Sequence, residues 1–189
     1  MFIQTEATPN PETVKFLPGK VVLPQGVLDF TDPQEAEPSP LATRLFAIDG
    51  VSGVFFGSDF ISVTKDAGIV WDHLKPSVLG AIMEHYLSGD PVVMGDEALG
   101  ADHAGEEDYD EADAQTVSMI KEILDERVRP AVAGDGGDIV FRSYRDGVVH
   151  LAMRGACAGC PSSTMTLQMG IQNLLRHFIP EVEEVRPVE

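Results

Sequence analysis

The chain has 189 residues, a formal net charge of −18, 43% apolar residues and two cysteines. Such a charge excludes binding to nucleic acid or to an anionic membrane surface, because proteins that bind phosphate backbones concentrate Lys and Arg. No apolar run approaches the roughly 20 residues of a membrane-spanning helix, and two cysteines do not form a disulfide framework, so we expect a reducing compartment.

Residues 1–94 predict a small α+β domain that opens with two strands and a helix. The segments MFIQTEAT and ETVKFLP flank a PNP turn and alternate as short strands do. The segment SPLATRLFAI predicts a helix that begins at Ser39 with Pro40 in its first turn.

The rest of this domain predicts a hairpin followed by a second helix. VSGVFFGSDFISVTK reads as two strands joined by a turn at Gly57-Ser58-Asp59, and WDHLKPSVLGAIMEHYLSG has a helical apolar period. Pro76 fits this helix only if the helix begins within the preceding turn. The pattern indicates no cluster of catalytic or ligating residues here.

Residues 95–114 predict a flexible acidic linker between two domains. This stretch holds nine Asp or Glu and no Lys or Arg, and no Lys or Arg occurs between Lys75 and Lys121. Like charges and few apolar side chains cannot repay the entropy of ordering, so we expect a self-repelling tether.

Residues 115–189 predict a second α+β domain with the order α-β-β-α-β. Its first helix, TVSMIKEILDERVRPAV, is expected to stop or bend at Pro130. GDGGD predicts a turn, and IVFRSY and GVVHLAMRG predict a hairpin around Arg145-Asp146-Gly147. A helix from about Ser162 to Phe178 and a final strand complete the order. On this helix, Met165 and Met169 are predicted to fill the core or an interface.

Both cysteines, Cys157 and Cys160, lie in the stretch RGACAGCPSSTMTL, at the predicted start of the last helix. Flanking glycines let the backbone wrap closely around bound atoms. Pro161 suits a first helical turn, and Ser162 or Ser163 is a candidate cap. A helix N-terminus carries partial positive charge, which lowers thiol pKa values and favours thiolates.

Three functions are compatible with this cysteine pair, and the alternative without a function is that both cysteines are buried small apolar residues. A dithiol oxidoreductase is one, although its motif is typical of a βαβ pattern and here follows a hairpin. Structural zinc needs four protein ligands, which leaves an adaptor that holds zinc across a dimer. An iron–sulfur cluster also needs four thiolates, which a two-fold homodimer would supply.

The sequence resembles the NifU and Nfu proteins over nearly its whole length outside the acidic stretch. RPAVAGDGGDIVF and GACAGCPSSTMTLQMGIQNLL resemble the NifU C-terminal domain. MFIQTEATPNPETVKFLPGKVVL, SDFISVTKD and WDHLKPSV resemble the Nfu N-terminal domain. The two resemblances occur in the family's order.

The resemblance implies a non-catalytic scaffold that carries a [4Fe–4S] cluster shared by two subunits and delivers it to apo-proteins. Cys157 and Cys160 match the family's ligands, and upstream cluster-assembly proteins are the implied donors. Because the chain begins directly at its first domain with Met1, we expect a bacterial-type cytoplasmic protein; a processed mitochondrial form is the alternative. Thiol–disulfide exchange by the same pair is the alternative function.

Overall fold

The computed structural model describes residues 1–95, 107–159 and 161–188, without the side chains of residues 161–163. The chain forms two compact units, Met1–His103 and Ala104–Glu189, and each combines helices with a sheet. The predicted α+β fold class is therefore confirmed. No helix in the described ranges is long and apolar enough to cross a membrane.

Unit 1 is built on a five-stranded sheet in the order β1-β2-β5-β4-β3, with every neighbouring pair antiparallel. Its strands are β1 (Gln4–Ala7), β2 (Thr13–Leu17), β3 (Leu28–Phe30), β4 (Val51–Phe56) and β5 (Ile61–Lys65). The sequence predicted four of these strands. It missed β3 because three residues are too few to show alternation.

Two helices, α1 (Pro40–Phe46) and α2 (Trp71–Ser88), complete unit 1. Ser39 caps α1 as predicted: its side chain accepts a hydrogen bond from the Ala42 amide at 3.0 Å. Pro76 lies further inside α2 than expected, since the helix begins five residues before it. Because Pro76 has no backbone N–H, only one backbone hydrogen bond is lost near the start of the helix.

Unit 2 has a four-stranded sheet in the order β6-β7-β8-β9. Its strands are β6 (Asp108–Tyr109), β7 (Gly137–Arg145), β8 (Val148–Gly155) and β9 (Glu184–Val188). β7 and β8 form the predicted hairpin, whose turn residues Asp146 and Gly147 have φ values of 50° and 79°. The last strand pairs parallel to β8.

The first helical segment of unit 2 continues past Pro130. It runs through α3 (Ala114–Ile123), a π-helical turn (Leu124–Val128) and α4 (Arg129–Gly134). Of the stop or bend predicted at Pro130, the stop does not occur, because α4 includes this residue. A π-helical turn replaces i to i−4 bonds with i to i−5 bonds just before the proline, where the ordinary bond cannot form.

The end of the predicted linker forms regular structure in unit 2. Asp108 and Tyr109 pair with β7, and Arg145 donates to Asp108 at 2.8 Å. Tyr109 packs its ring against Phe141, with 6.3 Å between centroids. Strand pairing and aromatic packing thus outweigh the like charge that predicted a linker up to residue 114. Residues 96–106 of that linker lie outside the described residues.

Candidate functional site

The cysteine loop joins β8 to α5 (Pro161–Phe178) and closes against the turn before β7. Gly155 and Gly159 adopt left-handed conformations, with φ values of 62° and 75°, that other residues resist. The Ala158 amide donates to the Gly155 carbonyl at 3.1 Å, and the Ala156 amide donates to the Gly136 carbonyl at 3.2 Å. These bonds fix a tight backbone turn around Cys157.

Cys157 points its sulfur into unit 2, where it is 7% exposed and belongs to the hydrophobic core. A Cβ atom added at Gly137 would lie 2.7 Å from Cys157 Sγ and 2.6 Å from the Arg154 carbonyl oxygen. Only glycine fits this position. The last glycine of the predicted GDGGD turn therefore lies directly against the thiol.

The Cys157 thiol is not activated in this arrangement. Burial raises its pKa to about 12, and the carboxylates of Asp135 and Asp138 add to that increase. The sequence predicted the opposite direction, because it placed the thiol in the positive potential of a helix N-terminus. Cys157 instead precedes α5 by four residues and faces the core, where desolvation of the charged form dominates.

The second predicted ligand, Cys160, lies outside the described residues. The same holds for the side chains of Ser162 and Ser163, which the sequence proposed as caps. α5 begins at Pro161 as expected. The pairing of the two sulfurs therefore stays a prediction.

Thr164 ties the first turn of α5 to the cysteine loop. Its Oγ1 donates to the carbonyl oxygen of Cys157 at 3.0 Å. The sequence analysis did not single out Thr164, because a threonine in a first helical turn is ordinary. The contact appears only when the loop folds back over the helix.

An ion pair between the half-buried Arg129 and the buried Asp138 lies beneath the loop. Arg129 donates from Nε and Nη2 to the two carboxylate oxygens of Asp138, at 2.9 and 2.8 Å. Asp138 is 3% exposed and follows Gly137 directly, so the pair joins α4 to the strand that supports Cys157. The two-pronged contact raises the pKa of Arg129 and keeps it charged.

The two methionines singled out on α5 lie at the surface, and so does His177 on the same helix. Met165 and Met169 are 63% and 58% exposed, so of the two predicted roles, core or interface, they do not fill the core of unit 2. His177 is exposed and stacks edge-on against Phe178. Within the described ranges, no three His, Cys, Asp or Glu side chains gather as a metal site would require.

Both halves of the chain match models of known protein families. A family model described as "Scaffold protein Nfu/NifU N terminal" matches residues 3–89, and one described as "NifU-like domain" matches residues 120–186. Each match falls within one of the two predicted domains.

Three curated relatives match almost the entire chain. "NFU1 iron-sulfur cluster scaffold homolog, mitochondrial" of Drosophila sechellia is 53% identical over 189 residues, which is 100% of this chain and 65% of the relative. The human protein of the same name is 50% identical over 189 residues, covering 100% and 72%. "NifU-like protein 4, mitochondrial" of Arabidopsis thaliana is 50% identical over 188 residues, covering 98% and 65%. The chain thus spans about two thirds of their length.

The names of these relatives overturn one sequence prediction. All three are named mitochondrial, whereas the chain was expected to be a bacterial-type cytoplasmic protein. That expectation relied on where the printed sequence begins, which carries no information about location.

The two family models and the full-length relatives indicate the same family for this chain. A relative 50% identical over the whole chain shares its fold and its domain order. The chain belongs to the Nfu/NifU family of scaffold proteins.

Proposed function

We propose that two copies of this chain hold one [4Fe–4S] cluster through Cys157 and Cys160 and deliver it to apo-proteins. The cluster is cargo, received from upstream assembly proteins and passed on. The names of the relatives, which call those proteins iron–sulfur cluster scaffolds, support this role. The observation that carries it is the position of Cys157 in a short loop bounded by two left-handed glycines.

The ligand count supports a shared cluster. A [4Fe–4S] cluster takes four thiolates, and one chain has two cysteines. The described residues offer no cluster of other ligands that would complete a site within one chain. A two-fold pair of loops supplies four sulfurs around the axis.

Binding requires Cys157 to leave its contact with Gly137. The buried sulfur carries a proton at neutral pH, and forming an iron–sulfur bond releases that proton to solvent. Arg129 neutralises Asp138 beneath the loop, which reduces repulsion between that carboxylate and an anionic cluster. Delivery exchanges these thiolates for those of the recipient, so the iron keeps its oxidation state.

Thiol–disulfide exchange fits the geometry less well. An attacking cysteine needs an accessible thiolate near neutral pH. Cys157 does not meet this need, because it is buried and its pKa is raised rather than lowered, while Cys160 lies outside the described residues. Together with the names of the relatives, the burial of Cys157 favours a carrier over a catalyst.

The test is iron, zinc and acid-labile sulfide per chain after anaerobic reconstitution, with Cys157→Ser and Cys160→Ser beside the wild type. We expect about two iron and two sulfide per wild-type chain, and almost none in either variant. Ser118→Ala, at an exposed position on α3, is the matched control and is expected to bind normally.

Three results would contradict the proposal. A cysteine variant that binds iron and sulfide normally would remove the ligand assignment. Zinc without sulfide would support an adaptor that holds zinc across a dimer. A metal-free monomer with a reversible disulfide would support thiol–disulfide exchange.

A further inference from the structure

The solvent-facing side of α5 carries no charge over most of its length. No Asp, Glu, Lys or Arg occurs from Pro161 to Leu175, although 23% of the chain is charged. Among the residues from Thr164 to Leu175, whose side chains the structure describes, the exposed positions are uncharged: Met165, Thr166, Met169, Gly170 and Asn173. We call these five residues the α5 face.

A long helix of unit 1 shows what an ordinary solvated surface looks like in this protein. α2 also exposes apolar residues, with Met83 and Leu87 at 38% and 76%. On α2 the charged side chain of Glu84 lies between these two residues in the sequence and pairs with Arg44 at 3.2 Å. The α5 face lacks such interruptions, and its two methionines lie one turn apart.

We propose that the α5 face packs against the same face of a second copy of this chain when the cluster is bound. This inference rests on the proposed function, because that function requires two chains. A two-fold contact sets a patch against itself, so a patch with charges of one sign would meet its own sign. An uncharged face avoids this repulsion in a chain whose net charge is −18.

The composition of the face suits close packing between helices. Methionine side chains are flexible and polarisable, so they fill irregular gaps between two surfaces. A Cβ atom at Gly170 would meet no described atom within 4 Å, which leaves room for a partner backbone to approach. Glycine within a helix is intrinsically unfavourable, and packing inside unit 2 does not require it there.

The face lies close to the cysteine loop. Met165 is four residues into α5, about 6 Å along the axis from its start at Pro161. With the two-fold axis running along the paired helices, both loops meet at the same end. Both helix N-termini then direct their partial positive charge toward the anionic cluster.

The first test is Met169→Asp, which places a carboxylate at the centre of the face. We expect the dissociation constant of the cluster-loaded dimer to rise about tenfold or more, because like charges would meet across the contact. The measurement is mass by light scattering across an anaerobic dilution series. Met83→Asp, on the charged surface of α2, is the matched control and is expected to leave this constant unchanged.

A second test uses two exposed helical glycines. Gly170→Ala and Gly80→Ala each remove a glycine whose Cβ would meet no described neighbour, so each is expected to raise helix stability. Only Gly170→Ala is expected to weaken the dimer as well. This pair keeps the inference testable if Met169→Asp fails to fold.

The outcomes separate the two proposals. A wild-type protein without iron and sulfide would end the proposed function, whatever the variants do. A loaded wild-type dimer with the same dissociation constant in Met169→Asp and Gly170→Ala would overturn the α5 face alone. Weakened dimers in both variants, with normal dimers in both controls, would establish it.

Discussion

The buried polar groups are distributed differently in the two units. In unit 1 these groups are spread over the fold and serve it locally: the Thr13 and Thr64 hydroxyls bond at 2.8 Å, and Ser39 joins α1 to the Val92 carbonyl at 2.6 Å. In unit 2 a buried carboxylate, a buried thiol and two left-handed glycines lie together at one loop. Backbone and desolvation costs concentrated at one place are typical of a functional site.

Gly137→Ala is expected to have the largest effect on this loop. The added methyl would overlap the Arg154 carbonyl and the Cys157 sulfur. The backbone carbonyl cannot move away without a large cost in free energy. We expect unit 2 to lose about 3 kcal/mol of unfolding free energy. Hydrogen exchange of the β7 and β8 amides measures the loss. Unchanged exchange there, with Gly80→Ala as control, would show that the thiol does not rest on Gly137.

Arg129→Met tests the ion pair beneath the loop. It leaves the Asp138 carboxylate buried without its two-pronged partner, so we expect a loss of about 2 kcal/mol in unit 2. The same amide exchange measures it. Arg145→Met removes an exposed ion pair with Asp108 and is expected to change nothing measurable. Equal losses in both variants would contradict the distinction between the two pairs.

His85 departs from this pattern within unit 1, as does the neighbouring Tyr86 hydroxyl, and it gives the smallest expected effect. It is fully buried on α2, and neither ring nitrogen has a hydrogen-bond partner among the described residues. Burial lowers its pKa below 6.5, and nearby Arg44 lowers it further, while Asp90 opposes them. The folded state therefore keeps His85 neutral where the unfolded chain takes up a proton.

The sign of the pH effect follows from that difference. Because the unfolded state binds more protons, unit 1 loses stability as the pH falls below about 6.5. His85→Leu is expected to reduce this loss and to raise stability at neutral pH by about 1 kcal/mol, since it removes unpaired polar atoms. Denaturant unfolding followed by fluorescence of Trp71, the only tryptophan, measures both. A pH dependence equal to that of the wild type would exclude His85 as its source.

Sequence patterns correctly predicted the structural elements that local interactions determine. Ser39 as a cap and the Asp146-Gly147 turn depend on neighbouring residues only, and both are confirmed. β6 was missed because its two residues, one acidic and one aromatic, become a strand only beside β7. The choice between a stop and a bend at Pro130 stayed open because the sequence pattern did not predict the π-helical turn that precedes the proline.

The sequence likewise predicted only those parts of the candidate site that depend on neighbouring residues. The two cysteines and the glycines around them were visible in the sequence, as was the turn at GDGGD. The inward direction of Cys157, its contact with Gly137 and the Arg129–Asp138 pair depend on strands that meet across the sheet. Sequence spacing gives no information about which side of a loop a thiol faces.

The most direct test of the shared cluster is the native mass of the protein after anaerobic reconstitution. We predict two chains plus about 350 Da, the mass of four irons and four sulfides. Loss of that increment should accompany separation into single chains. A single chain that retains iron and sulfide, or a dimer at its bare mass, would contradict a cluster bridged by Cys157 and Cys160.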